Sequence, residues 1–544
     1  MATLPKGAVG RREVPTFCRI CEPLCGLVAT VEGDELVQLR PDPDHPVSRG
    51  QACPKGIAFA QLQNDPDRVT RPLRRRPDGT FEPVSWDVAL DDIAARLRAV
   101  VDRDGPSALG WYLGNPAYFS YSHFPWMKGF MDAIGSPNVW TASSQDVSSR
   151  FAANALLYGS ALTIPMPDVT RTQMWVIFGG NPLVSHVTET NKHADYVLPT
   201  TTFLERDDQP FLSSALAATP YAQHADPVVA PRGEAREEWE IIDAIARRMG
   251  VVPASLAPVR WLGRLGIRLR PELLLDVVMR LSPVGDLYGL RRGGLSVGAL
   301  RRTPSGRVLA EHVPAGNGRW RRFVAHRDKR VHVASPEIVS ELQRLAAAPE
   351  DDPALPLRLI GVRELRSHNS WMHNLPKLMG ARRPYQARIA PADAAAAGIE
   401  DGDPVRIVSR ETAVETTAWV TDEMAPGNVG LPHGWGHDGG WQVANAAGRV
   451  NVNRLIAVDP VDEHIERVSG QSVLVGVAVP HAFEHPHVLL LSRCWLRSRR
   501  RRRKHHGGAP PPLGLAAQPG GLVSAACTRC GYRPCDESAR PRPS

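Results

Sequence analysis

The sequence predicts a multidomain α/β protein: a small loop-rich module, an α/β core on parallel strands, a C-terminal β-barrel and a disordered tail. Three observations carry that expectation. The 544 residues, 43% hydrophobic and 22% charged, have the length and composition of a globular chain with several domains. Strand-like and helical periodicities alternate through the first half, then give way near Leu357 to short strands broken by Gly and Pro. The eight cysteines fall into two groups, four within the first 53 residues and four from Cys494 onward.

Taken in order, residues 14–60 read as the loop-rich module, with strands at 26–31 and 35–40. Turns fall at Glu32-Gly33-Asp34 and Pro41-Asp42-Pro43-Asp44. Residues 86–103 predict an amphipathic helix, since Leu90, Ile93, Ala94, Leu97, Val100 and Val101 share one face and Ser85 or Asp87 can cap its start. A strand is expected at 108–113 and a helix from 148 to 158. Met174-Trp175-Val176-Ile177-Phe178 has the character of a buried parallel strand, ending in Gly179-Gly180-Asn181-Pro182. In such α/β sheets ligands bind beyond the carboxyl ends of the strands. The barrel is expected to include strands at 358–362, 405–409 and 416–421.

The net charge of +8 raises the question of a nucleic-acid partner, and its distribution answers it. Eight basic residues and no acid lie between Arg493 and Lys504, so the excess belongs to the tail and the body is close to neutral. Neither a nucleic-acid nor a membrane partner is expected; association through the basic tail is the weakest of the functional hypotheses. No apolar run approaches the ~18 residues of a membrane helix. Arg11-Arg12 is not followed by an apolar export segment, and a cytoplasmic protein is expected. After residue 479 the periodicity is lost among arginines, glycines and prolines, and residues 480–544 are expected to be a disordered basic tail.

Cys18-x2-Cys21-x3-Cys25 places three thiols on one tight loop, and Cys53 approaches from further along the chain. Clustered cysteines in a large chain point to metal rather than to a disulfide framework. Soft thiolates suit zinc or an iron–sulfur cluster. Zinc sites more often pair two similar C-x2-C knuckles, so three near ligands and a distant one fit a cubane better, although spacing alone leaves both open.

The neighbouring residues narrow the choice. Phe17-Cys18-Arg19-Ile20-Cys21, Cys25-Gly26 and Gly50-Gln51-Ala52-Cys53-Pro54-Lys55-Gly56 resemble the N-terminus of the molybdopterin oxidoreductase (dimethyl sulfoxide reductase) superfamily, which includes formate dehydrogenases and periplasmic-type nitrate reductases. The resemblance continues through Arg71-Pro72-Leu73, Gly179-Gly180-Asn181-Pro182, His193-Ala194-Asp195-Tyr196-Val197-Leu198-Pro199, Arg366-Ser367-His368-Asn369-Ser370-Trp371, Asp401-Gly402-Asp403 and the segment 451–453. It implies a [4Fe-4S] module at 14–70, an α/β core at 71–355, and a pterin-dinucleotide-binding barrel of double-psi type at 356–479. The implied cofactors are a [4Fe-4S] cluster on Cys18, Cys21, Cys25 and Cys53, and molybdenum or tungsten held by two molybdopterin guanine dinucleotides. A small-molecule substrate and a redox partner protein are implied with them.

The resemblance sets Lys55 between cluster and pterin, where a cation favours the more negative reduced states of both; the plainer reading is a surface lysine. Gly180, Asn181, Ser185 and Asp195 are implied pterin-dinucleotide positions in the core, where glycine permits close backbone approach. Ser367, His368, Asn369, Ser370, Asn451 and Asn453 are implied in the barrel, with amide and hydroxyl groups matching a pterin's donor–acceptor edge. The protein ligand to the metal falls by the same resemblance on Asp146, with Ser148 as the alternative; Asp146 could equally cap the helix that follows. No cysteine lies nearby, so a thiolate there is not expected.

The chain also departs from the family. Asn181-Pro182-Leu183-Val184-Ser185-His186 runs almost directly into Thr188-Glu189-Thr190-Asn191, where relatives carry a domain's worth of chain. An internal deletion near Val187 is expected to expose apolar strand edges and leave at least one dinucleotide poorly held, and it raises a second hypothesis, a catalytically inactive cofactor-binding remnant. The tail has no counterpart, and Cys527-x2-Cys530-x4-Cys535 resembles a metal knuckle only superficially.

Overall fold

In the computed structural model the described residues are 10–21, 23–114, 117, 120–141, 148–161, 163, 194–210, 219–310, 319–347, 355–364, 366–368, 370–379, 386–409, 412–436, 450–455 and 487–492. Three antiparallel strands come first: β1 (Arg11–Phe17), β2 (Gly26–Glu32) and β3 (Glu35–Pro41), in the order β1-β2-β3. The strands expected at 26–31 and 35–40 are β2 and β3, joined by a turn in which Gly33 has a φ of 59°. β1 was not expected, because Pro15 interrupts it. As an edge strand it tolerates a residue without an N–H. Helix α1 (Pro54–Gln63) closes the module, with Cys53 in the capping position and Pro54 in the first turn.

The helix expected at 86–103 is α2 (Trp86–Asp104); Ser85 Oγ accepts from the Val88 N–H and Gly105 terminates it at a φ of 85°. The strand expected at 108–113 shortens to β6 (Trp111–Leu113), because Pro106–Ala108 forms a turn of 3-10 helix. It pairs in parallel with β7 (Val139–Thr141), as the α/β expectation requires. Before these, β4 (Leu73–Arg75) and β5 (Phe81–Pro83) form a sheet with β8 (Tyr196–Val197). Helix α3 (His123–Ile134) follows β6, and α4 (Ser148–Tyr158) has the limits expected for it. Helix α5 (Glu238–Arg248) packs onto α2 and α3 around Leu113, Met127, Phe130, Ile242 and Met249, with Trp126 edge-on to Trp239 at 5.4 Å. The strand expected at 174–178 lies outside the described residues.

The C-terminal strands β11 (Leu357–Val362), β12 (Ala387–Ile389), β13 (Pro404–Val408), β14 (Ala413–Val420) and β15 (Asn428–Pro432) join a sixth, β16 (His487–Ser492), in a closed barrel. Pairs β11–β15 and β12–β14 are parallel and the others antiparallel. Leu359, Ile389, Val405, Ile407, Val429 and Leu431 fill the interior.

β16 corrects the boundary of the expected disordered tail. Its backbone pairs with β13 from Val405↔Ser492 to Val408↔Leu489 and with β11 at Leu357↔Val488, so six residues beyond 479 complete the barrel. A short apolar run is consistent with a fully buried strand, and the charged and proline-rich residues around it obscure that signal. Residues 493–544 lie outside the described residues.

Candidate electron-relay and pterin site

Strand pairing builds the cysteine loop. Phe17 lies opposite Gly26 at the end of the β1–β2 ladder, and the Cys18 N–H then donates to the Cys25 carbonyl at 2.8 Å. Cys18 and Cys25 therefore stand at the root of one tight loop, tightened further by Leu24 at a φ of 48°. Gly26 is required, since a Cβ there would overlap the His45 ring. Cys53 reaches the same place as the residue capping α1, with the positive end of the helix dipole behind it. The next turn is just as close: a Cβ on Gly56 would lie 3.3 Å from Cys18 Sγ.

None of the four cysteines is in a disulfide; Cys18 is buried and the others are partly so. Burial pushes the Cys18 thiol well above its ordinary range, and charge on Cys21, Cys25 or Cys53 raises it further; burial and then Cys53 raise Cys25 in the same way. The thiols thus face one another closely enough to interact. Among the described residues, however, no three Cys, His, Asp or Glu side chains converge as tightly as one ion requires. Four partly desolvated thiols, three on one loop and one at a helix cap, are a donor set that an iron–sulfur cluster takes, and ligation would release their protons.

Lys55 follows Cys53 in α1 and is only 3% exposed, which overturns the surface-lysine reading. A buried cation two positions from a ligand is suited to offsetting negative charge in its surroundings.

The barrel candidates meet beside this module. Ser367 and His368 are buried, and His368 holds a φ of 46°, uncommon for a residue with a side chain. Met372, Leu375 and Leu378 of the same segment pack with Cys18, Ile20 and Phe59, and Asn374 Nδ2 donates to Asp65 Oδ2 at 3.0 Å. His373 stacks on Trp435 with ring centres 3.5 Å apart, and a Cβ on the following Gly436 would overlap Asn451. The segment carrying Ser367, His368 and Ser370 thus packs on the cysteine module, and Trp435–Gly436 connects it to the distant segment carrying Asn451 and Asn453. The buried Ser367 hydroxyl and His368 imidazole, the half-buried Ser370 and Asn451 and the exposed Asn453 carry the polar groups that suit a pterin's donor–acceptor edge.

Not every expected position joins this group. Asp195 lies at the start of β8, 67% exposed at its side chain and paired with Arg75 at 3.1 Å. Asp146, Gly180, Asn181, Ser185 and Asn369 lie outside the described residues; Ser148 opens α4, its side chain likewise undescribed.

Sequence reasoning missed the groups that brace the cysteine loop. Arg19, next to Cys18, grips Asp208 through Nε at 2.8 Å and a second nitrogen at 3.2 Å, with both side chains at least nine-tenths buried. Glu205 accepts from Gln63 at 2.7 Å, from both terminal nitrogens of Arg68 and from the Arg232 N–H, tying the end of α1 to the core. These partners stand well over a hundred residues apart, and no local pattern announces them.

Comparison with known proteins agrees with this geometry. Residues 11–65 match the molybdopterin oxidoreductase Fe4S4 domain, and 357–473 match the molydopterin dinucleotide binding domain. Between them the molybdopterin oxidoreductase model matches residues 68–187 and 183–248, two pieces that adjoin where the deletion is expected. Similar proteins include the thiosulfate reductase molybdopterin-containing subunit PhsA of Salmonella typhimurium, 26% identical over 33% of this chain and 24% of that protein. A nitrate reductase of Symbiobacterium thermophilum is 29% identical over 31% of this chain and 23% of its own length. The periplasmic nitrate reductase of Desulfovibrio desulfuricans is 35% identical over 32% and 23%. The chain thus spans about a quarter of the length of the curated relatives it matches. Among solved structures, acetylene hydratase from Pelobacter acetylenicus superposes with a TM-score of 0.59 over 88% of this chain and 100% of that chain, at 14% identity, a likeness of fold alone.

Proposed function

Because this chain belongs to the molybdopterin oxidoreductases, we propose that it relays electrons between a [4Fe-4S] cluster on Cys18, Cys21, Cys25 and Cys53 and a molybdenum or tungsten bis-pterin centre beside the barrel. When bound, the metal centre supplies two-electron oxidation–reduction and the cluster one-electron transfer. This chain's residues supply the rest. The thiolates bind, burial of Cys18 keeps water away, and Lys55 holds positive charge beside the ligands. Ser367, His368, Ser370, Asn451 and Asn453 orient the pterin; Gly180, Asn181, Ser185, Asp195 and Asn369 extend its dinucleotide site. Asp146, or Ser148, is proposed as the protein ligand to the metal.

The observation that carries this reading is the packing of the 372–378 segment against the cysteine module, with Lys55 buried in the helix turn after Cys53 and Trp435–Gly436 linking His373 to Asn451. The names of the relatives make an inorganic oxyanion the first substrate class to assay, and a separate redox protein the first partner. The test is metal analysis and electron paramagnetic resonance of the purified chain, followed by turnover of nitrate and thiosulfate with a viologen dye. Iron with molybdenum or tungsten, and oxyanion-dependent oxidation of reduced dye, is the expected result. Absence of both heavy metals defeats it.

A second reading is a cofactor-binding remnant without turnover. It is favoured by the two-piece match adjoining at 183–187 and by the quarter-length coverage of relatives. It predicts a cluster with no oxyanion turnover.

A further inference from the structure

Beside the cysteine loop lies a buried donor that no role described so far employs. Tyr221, in the short strand β9 (Tyr221–Ala222), is 2% exposed and among the largest fully buried side chains. Its hydroxyl has no hydrogen-bond partner among the described residues. Buried tyrosine hydroxyls ordinarily find one, and leaving such a group unsatisfied costs on the order of 1–3 kcal/mol.

The surroundings say where an acceptor would be. The Tyr221 ring stands edge-on to His45, with ring centres 5.1 Å apart at 83°. The His45 ring in turn rests on Gly26, the residue after Cys25. His45 is itself fixed, since Nδ1 accepts the Ser48 N–H at 3.0 Å. A phenol hydroxyl carries a proton to give, so toward a sulfur acceptor it is the donor. A held, desolvated donor without an acceptor among the described residues thus stands one ring away from Gly26, the residue after Cys25.

We propose that Tyr221 is a tuning residue for the iron–sulfur cluster, its hydroxyl donating to a sulfur on the Cys25 side and raising the cluster's reduction potential. The inference rests on the cluster assignment above. A hydrogen bond to sulfur stabilises the reduced, more negative state over the oxidised one. His45 is a positioning residue, holding the ring that carries the donor.

The experiment is a redox titration of the full chain, monitored by electron paramagnetic resonance, for the native protein, Tyr221→Phe and a variant with 3,5-difluorotyrosine at 221. Phenylalanine keeps the ring and removes the donor, so at the native midpoint the oxidised-to-reduced ratio rises by about three- to tenfold, tenfold being about 59 mV for a one-electron couple. Difluorotyrosine is a stronger donor and shifts the ratio the opposite way, which keeps the inference testable should the phenylalanine variant fail to fold. Unchanged potentials in variants that contain a normal cluster overturn the role of Tyr221 while leaving the cluster in place. A native chain that assembles no [4Fe-4S] cluster overturns the cluster assignment, and the role of Tyr221 with it.

Discussion

At the scale of single residues, buried charges decide both where the molecule is rigid and how it responds to pH. The Glu205 carboxylate is fully buried and satisfied by Arg68, Gln63 and the Arg232 N–H. Glu205→Gln preserves shape but leaves the Arg68 guanidinium, 13% exposed, without its counter-charge. Removing one member of a buried pair costs about 3–5 kcal/mol. Denaturant unfolding followed by tryptophan fluorescence should show a loss of that order, and a loss below about 1 kcal/mol would mean that the pair is solvated. Glu237 behaves differently. Burial raises its carboxyl from an ordinary 4.5 to about 7, with Asp207 adding to the rise, against Arg206 and the Trp239 indole N–H. An acid raised on folding favours the protonated native state. Its contribution is therefore fully favourable below pH 4.5 and is lost as pH rises through 7, a span of about 3 kcal/mol. Glu237→Gln should accordingly stabilise the protein at pH 8 and change little at pH 4.5. Equal effects at both values would show that Glu237 is ionised throughout.

At the scale of elements, legibility in the sequence followed the range of the interaction. Helix α2 was readable from its Leu90–Ala94–Leu97 stripe and the Ser85 cap, and the cysteine loop from spacing alone, because both are settled within a few residues. β2 and β3 are short strand-like runs bounded by turn residues and were equally plain. β1 and β16 were not, since each becomes a strand only through a partner elsewhere: β1 is an edge carrying Pro15, and β16 comes to the barrel from beyond residue 486. The same holds for the site. The four cysteines and Lys55 lie in one stretch of chain, whereas Tyr221, His45 and the Arg19–Asp208 pair acquire meaning only once the chain has folded. The place of β16 makes a direct prediction. Truncation after residue 492 keeps all six barrel strands, whereas truncation after 486 opens the barrel between β13 and β11 and leaves two unpaired edges. Limited proteolysis should find the 357–455 region resistant in the first protein and cleaved in the second. Equal resistance would show that the barrel closes without β16.

At the scale of the whole molecule, the exposed apolar surface is the informative feature. Scattered apolar side chains need no explanation on a protein surface, but contiguous groups do. Between residues 256 and 290 the helices α6 (Ala257–Arg264) and α7 (Pro271–Leu281) and their flanks carry Leu256, Trp261, Leu265, Leu273, Val278, Leu281 and Leu290, each more than half exposed. α7 buries only Pro271 and Met279, although its sequence PELLLDVVMRL is mostly apolar. Helices of that composition are ordinarily covered on more than one side. The internal deletion expected near Val187 would offer a physical account, since removing a domain's worth of chain would uncover whatever that domain packs against. Apolar surface of this kind promotes association. The full chain should therefore bind an apolar dye and grow in hydrodynamic size as concentration rises, with the largest effect at high salt, where charge repulsion is screened. Trp261→Glu with Leu281→Glu, two exposed positions outside the core clusters, should reduce both effects while leaving thermal unfolding nearly unchanged. Undiminished dye binding in the double variant would place the sticky surface elsewhere, and a large loss of stability would show that the two side chains are packed in solution.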